Sequence, residues 1–258
     1  MKTYMTIDLK NGTSTDGQVD YRHLPELFNM HNIDLNDNRV LDIASNDGFW
    51  AFWAEDRGAK VLSIDVDTYN RYDWGHDIPE NYLKHKENKA DNFNLIKGIR
   101  KSNVERRSIS IYDLNAKDFG QFDLVLNFGL MYHLRHPLLA LDKMREVCSS
   151  TAIIRTSTFD YGNNLPISMF LEDDVIISIT NWTIINVSCM LHWLKNVGFK
   201  HLFIENRLLA GNQMLTYFAC LKKDKFYDRF KGCNYLKEID NNYFLKARNE
   251  IKNLWGKR

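Results

Sequence analysis

The stretch Arg39-Val-Leu-Asp-Ile-Ala-Ser-Asn-Asp-Gly-Phe-Trp50 decides the fold. Val40, Leu41 and Ile43 read as a short buried strand, Asn46-Asp47-Gly48 as a turn, and Phe49, Trp50, Phe52 and Trp53 as the opening of an apolar helix. Gly58 suits the end of that helix, and Lys60-Val-Leu-Ser-Ile-Asp65 supplies a second buried strand that closes on a carboxylate. Asp65 follows Asp42 at close to the ~20-residue interval at which an acid after the second strand reaches ribose hydroxyls. This is half of a nucleotide-binding unit, with Asp65 and Val66 at its second strand end.

The turn carries Ala44, Asn46 and Gly48 where such turns usually carry glycine. Small residues let backbone approach a ligand, and Asn tolerates the left-handed conformation better than most residues. Ser45, Asn46 and Asp47 add side chains, one of them anionic, where a dinucleotide would place its pyrophosphate. The turn therefore suits a ligand with a ribose and a positive charge. Two later runs, Glu105 to Leu114 and Phe122 to Phe128, read as further strands that bring Tyr112, Asp113, Asn127 and Phe128 to their ends. Open α/β sheets bind ligands beyond the carboxyl ends of their strands, so Asp42, Asp65, Asp113 and Asn127 are expected to converge on one crevice.

These residues, in this order, resemble the motifs of the class I S-adenosylmethionine-dependent methyltransferases. The family's acid-x-Gly-x-Gly-x-Gly motif maps onto Asp42, Ala44, Asn46 and Gly48 with two glycines replaced, its second acid onto Asp65, its third onto Asp113, and its fourth motif onto Phe122 to Asn127. The resemblance covers about half the chain. It implies an α/β fold, a Rossmann-like doubly wound seven-stranded sheet ending in an antiparallel hairpin. It also implies S-adenosylmethionine as cofactor and S-adenosylhomocysteine as product, with Asp65 and Val66 at the ribose and Tyr112 and Asp113 at the adenine. The turn from Asp42 through Ala44, Ser45 and Asn46 to Gly48, together with Asn127 and Phe128, would face the methionine end. Neither a metal nor a redox cofactor is implied. Phe128 to Pro137 is similar to the branch that contains the tRNA wobble-uridine carboxymethyltransferases and uncharacterised bacterial relatives. In that branch the equivalent of Tyr132 contacts the carboxylate of a carboxylated cofactor.

Composition agrees with one enzyme domain carrying accessory segments. The 258 residues can bury one large core, and a formal charge of +1 provides no global field for nucleic acid. Cys148, Cys189, Cys220 and Cys233 show no metal-ligand spacing and read as buried thiols of a reducing compartment. With no apolar run of signal-peptide or membrane-span length, the expected location is cytoplasmic. Residues 1–38 read as a cap or lid bringing Tyr21, Arg22 or His23 toward the substrate, and 39–222 as the main domain, with insertions near 68–103 and 157–183. Trp74 of the first insertion is a candidate pocket residue. Ile185 to Val197 reads as an amphipathic helix, and residues 223–258 as a helical tail on the same domain, its helix running from about Leu236 to Leu254. Arg155 and Arg207 are read as edge or ion-pair residues and not as a site.

His133 falls at a loop-to-helix junction outside the apolar stripe of Leu138, Leu141, Met144 and Cys148. A histidine there can take a proton from a hydroxyl during methyl transfer, with Tyr132 beside it as the second candidate catalytic residue. The expected reaction is methyl transfer to oxygen on a small molecule, sugar or nucleotide-linked acceptor. Two other readings stay open. The basic and aromatic tail beyond Lys222 could bind tRNA, as the wobble-uridine branch would require, or the lost glycines could mark a catalytically silent cofactor-binding protein.

Overall fold

The structure, a computed structural model, describes residues 1–74, 80, 90–159, 164–171, 180–206 and 213–255. Its strands are β1 (Lys2–Met5), β2 (Asp16–Val19), β3 (Arg39–Ile43), β4 (Lys60–Asp65), β5 (Glu105–Ser108), β6 (Phe122–Phe128), β7 (Cys148–Phe159), β8 (Ser168–Phe170), β9 (Thr183–Asn186), β10 (His201–Glu205), β11 (Gln213–Cys220) and β12 (Leu236–Ile239). The described helices are α1 (Leu24–Leu27), α2 (Phe49–Glu55), α3 (Ala90–Arg100), α4 (Ala116–Phe119), α5 (Pro137–Val147), α6 (Val187–Asn196), α7 (Lys225–Lys231) and α8 (Asn241–Trp255).

The main sheet runs β5-β4-β3-β6-β7-β11-β10-β12. The first five strands are parallel, while β11 is antiparallel to β7 and to β10. The expected seven strands and terminal hairpin are present. They are extended by β12 on β10 and by β8 and β9 beside β7, which gives a 10-stranded sheet. Both faces of the sheet are covered, so its strands are apolar on both sides and alternate between two cores. Val40, Leu124, Ile153, Phe203 and Phe218 join α2, α3, α7 and the N-terminal segment on one face. Leu41, Val125, Ile154, Leu202 and Tyr217 join α5 and α6 on the other.

Three boundaries differ from expectation. Helix α6 starts at Val187, because Ile184 and Ile185 pair as β9 and the Asn186 side chain then caps the helix at the Cys189 N–H, 2.8 Å away. The tail is helical only in part, since Leu236–Ile239 forms an edge strand against β10 before Asp240 accepts the Tyr243 N–H at the start of α8. Strand β5 stops at Ser108, and Ile111–Asp113 forms a 3-10 turn capped by Ser110. The N-terminal segment is built into the molecule: Met5, Ile7, Leu24, Phe28 and Met30 lie in the shared core. The four cysteines are free and buried. Burial pushes the thiols of Cys148, Cys189 and Cys220 up to about 12. No described helix is long and apolar enough to cross a membrane.

Asp224 ties the tail to the sheet. Its carboxylate accepts the N–H groups of Phe226 and Tyr227 at 3.0 and 3.4 Å and the hydroxyl of Ser150 on β7. Replacing Asp224 with Ala removes an N-cap and strands a buried serine, and should lower stability by about 1–2 kcal/mol. Urea unfolding of Asp224→Ala beside wild type measures this, and an unchanged midpoint would show that the cap contributes nothing.

Candidate functional site

The parallel strands β3, β4 and β6 end at one crevice, a cavity of about 570 Å³. Its floor is the turn that leaves β3. Ala44, Asn46 and Gly48 all adopt left-handed backbone, with φ of 56°, 49° and 97°. The three positions of the expected motif thus keep the glycine-like conformation although only one holds glycine. Gly48 has a second reason to be glycine: a Cβ there would stand 2.6 Å from the Phe93 ring. It packs beneath the turn and does not line the cavity.

Asp42, Ala44, Ser45, Asn46, Asp65, Val66, Tyr112, Phe128, Tyr132 and His133 all line the cavity, as the strand ends predict. Asp65 is 8% exposed, and its two carboxylate oxygens accept the N–H groups of Asn46 at 2.8 Å and Val66 at 2.7 Å. The end of β4 therefore holds the turn after β3. Asp42 is fully inside, and its Oδ2 has no hydrogen-bond partner among the described residues. Burial pushes its carboxyl up to about 8. The Asp65 charge adds to that shift, while the Ala51 N–H and the Arg106 guanidinium oppose it.

Two sequence-predicted residues stand elsewhere. Asp113 is exposed and outside the cavity lining, because the early end of β5 turns Ile111 and Tyr112 inward in its place. Asn127 is wholly buried beneath the site, its amide directed at the sulfurs of Met131 and Met144. Asp47 also departs from the reading that put its charge at the ligand. Its Oδ2 turns away and accepts the N–H groups of Tyr4 at 2.5 Å and Met5 at 3.3 Å, which fastens β1 to the turn.

Tyr132 and His133 lie in a 3-10 turn after β6 with their rings 4.2 Å apart. His133 Nδ1 is 2.9 Å from the Thr180 carbonyl oxygen. A carbonyl only accepts, so Nδ1 carries the proton and Nε2 is the basic nitrogen of the neutral ring. Burial pushes the Tyr132 phenol up to about 12, and the nearby Tyr4 and Tyr21 add to the shift. At neutral pH it is a hydrogen-bond donor and not a base.

An aromatic wall completes the cavity, and the sequence marked it only in part. Tyr4 and Tyr21 come from the N-terminal segment, Tyr69, Tyr72 and Trp74 from the first insertion, Trp50 from α2 and Trp182 from the stretch before β9. Trp74 is a pocket residue as expected, stacked on Tyr72 with centroids 5.8 Å apart. Trp50 stacks on Phe128 at 4.0 Å. Asp73 anchors the insertion, accepting the Tyr112 hydroxyl at 2.6 Å and the Arg135 N–H at 2.7 Å. The aromatic richness of Tyr69 to Trp74 and of the 157–183 insertion, which holds Trp182 and reads as a substrate cover, was the available signal, whereas Tyr4 sits in unremarkable local sequence. Arg22 pairs with Asp20 at the surface. Arg155 forms an ion pair with Glu205 at 3.2 Å, and Arg207 lies outside the described residues.

The raised carboxyl of Asp42 has a consequence for stability. In the folded protein it binds its proton up to about pH 8, while an unfolded Asp releases it near its ordinary value of 3.8. Its contribution is therefore fully present below the unfolded pKa and is lost as pH rises toward 8. Asp42→Asn should remove this slope, so the melting temperature of wild type minus that of Asp42→Asn should fall between pH 5 and pH 8.5. A flat difference in a thermal-shift series would refute a neutral Asp42.

No family model matches the chain. A tRNA U34 carboxymethyltransferase from Trichodesmium erythraeum (strain IMS101) is 22% identical over 204 residues, covering 77% of this chain and 54% of that protein. The chain thus spans about half the length of that curated relative. Among solved structures, the N-terminal domain of EvdMO1 in the presence of SAH and D-fucose is similar with a TM-score of 0.55 at 17% identity, over 82% of this chain and 88% of that one. The [4+2]-cyclase SpnF is similar with a TM-score of 0.50 at 13% identity, over 69% of this chain and 58% of that one. Likeness at such identities speaks to the fold, and by strand order the chain shares the Rossmann-like α/β fold of these structures, one of which holds SAH.

Proposed function

We propose that the chain is an S-adenosylmethionine-dependent methyltransferase that methylates a hydroxyl of a small, sugar-like or nucleotide-linked acceptor. The observation that carries the cofactor assignment is the unpartnered Oδ2 of Asp42, buried at the cavity wall beside the Asp65 carboxylate. A buried polar oxygen without a partner is costly, and a cation placed beside it would draw the raised Asp42 carboxyl back to its ionised form. The α-ammonium of the cofactor is the kind of group that would satisfy it, and Asp65, at the cavity wall at the end of β4, is placed where the ribose hydroxyls would lie. Tyr112 and Ile111 would flank the adenine in place of Asp113. S-adenosylmethionine supplies a methyl group on a sulfonium, so the protein's part is to align the acceptor and manage one proton.

His133 fits that proton. The Thr180 carbonyl holds Nδ1–H, which orients Nε2 as the acceptor of a hydroxyl proton. Tyr4, Tyr21 and Tyr132 surround the same end of the cavity with phenols. Burial raises the Tyr4 phenol, reinforced by Tyr21, so it stays an O–H donor at neutral pH. Phenol hydroxyls and aromatic faces suit an uncharged, hydroxylated acceptor. The fold alone does not decide the chemistry, since one of its likenesses is named a cyclase.

The curated relative's name keeps tRNA modification as a second reading. The position of the basic tail weighs against it. Strand β11 runs antiparallel to β7, so Cys220 and the following Lys222 and Lys223 lie at the end of the sheet opposite the cavity. Lys225 and Arg229 are occupied by carbonyl groups of residues 29–34.

Calorimetric titration with S-adenosylhomocysteine should show micromolar binding to wild type, weakened about 10- to 100-fold in Asp65→Ala. No binding to wild type would sink the enzyme reading. With an acceptor drawn from a panel of sugars and nucleotide sugars, His133→Gln should lower kcat by roughly 10²–10⁴-fold and leave cofactor affinity unchanged. Unchanged kcat would remove His133 as the base.

A further inference from the structure

Strand β5 contributes a residue that no sequence motif marks. The Arg106 side chain is only 6% exposed and lies behind the turn after β3. Its Nη1 donates to Ser45 Oγ at 2.8 Å and to the Asn46 carbonyl oxygen at 3.1 Å. Nη2 donates to Asp67 Oδ1 at 2.7 Å and stands 3.9 Å from Asp65 Oδ2. The guanidinium also lies over the Phe93 ring, 4.6 Å from its centroid. One cation thus meets two consecutive residues of the cofactor turn and two carboxylates at the end of β4.

We propose that Arg106 is the positioning residue of the cofactor site, clamping the Ser45-Asn46 turn in its left-handed form and balancing the carboxylates gathered there. The inference rests on the cofactor reading above. The physical need is specific to this turn. Glycines would enter the left-handed region without strain, but Ala44 and Asn46 enter it as L-residues, and such residues persist only where surroundings over-determine them. The planar fork of arginine reaches a hydroxyl, a carbonyl and a carboxylate together, which a lysine ammonium on a flexible stem would not. The charged groups facing the cluster among the described residues are Asp42 from β3, Asp65 and Asp67 from the end of β4, and Arg71, which donates to Ser108. Without Arg106 the Asp42 carboxyl, already raised by burial and by the Asp65 charge, would lose a group that opposes that shift and would keep its proton to higher pH.

The test is calorimetric binding of S-adenosylhomocysteine between pH 6 and 9 to wild type, Arg106→Met and Arg106→Lys, with circular dichroism to establish folding. Arg106→Met should bind at least about tenfold more weakly at pH 7.5, and the midpoint at which its affinity falls on acidification should move to higher pH. Arg106→Lys keeps the charge and loses the fork, so it should bind about 3- to 10-fold more weakly with the wild-type midpoint. A folded Arg106→Met within twofold of wild type and with its midpoint would overturn the proposal. Should Arg106→Met fail to fold, Arg106→Lys decides, and wild-type affinity in it would overturn the clamp. Absence of binding by wild type would instead overturn the cofactor reading itself, and the clamp with it.

Discussion

Left-handed backbone at Ala44, Asn46 and Gly48 reverses the chain between β3 and α2, and the rest of the site is arranged to hold that reversal. An L-residue enters this region only when neighbours leave no better choice. Here the neighbours are specific. Asp65 takes the Asn46 N–H, Arg106 takes the Asn46 carbonyl and the Ser45 hydroxyl, and Phe93 fills the space below Gly48. On its outer side the turn offers the Asp47 carboxylate to the N–H groups of Tyr4 and Met5. A local conformational demand is thereby linked to strand β4, strand β5, helix α3 and the N-terminal segment.

A second hub lies after β6. The backbone of Tyr132 accepts the Trp182 N–H at 2.8 Å, His133 reaches Thr180, and the Arg135 N–H is taken by Asp73. These contacts bring the stretch before β9 and the first insertion to opposite sides of one short segment. The cavity walls are consequently fixed to the Tyr132-His133 turn, and the aromatic wall shares that support.

Charge is distributed unevenly around this framework. The crevice collects Asp42 and Asp65 at low exposure, and its acceptor end is dominated by neutral phenols. In the tail, Lys222 and Lys223 follow a strand that finishes at the far end of the sheet, and Lys225 donates to the Asp34 carbonyl oxygen.

Local sequence determined much of this by itself. The buried runs Val40–Ile43 and Lys60–Asp65, the turn with its replaced glycines, and the placement of Asp42, Asp65, Tyr112, Phe128, Tyr132 and His133 around one crevice follow from strand ends and spacing, because a parallel sheet gathers its carboxyl ends at one edge. Three-dimensional packing decided the rest. Asp113 turned outward because β5 ended early, Asn127 sank below the site because β6 is buried on both faces, and Asp47 turned from the ligand toward a strand more than 40 residues away. Arg106 and Tyr4 carry no local signature, since what makes each important is a partner distant in sequence. The fold class is set by periodicity and turn chemistry, which are local, whereas the walls and counter-charges of the site are set by which distant side chains meet, and that only the folded chain decides.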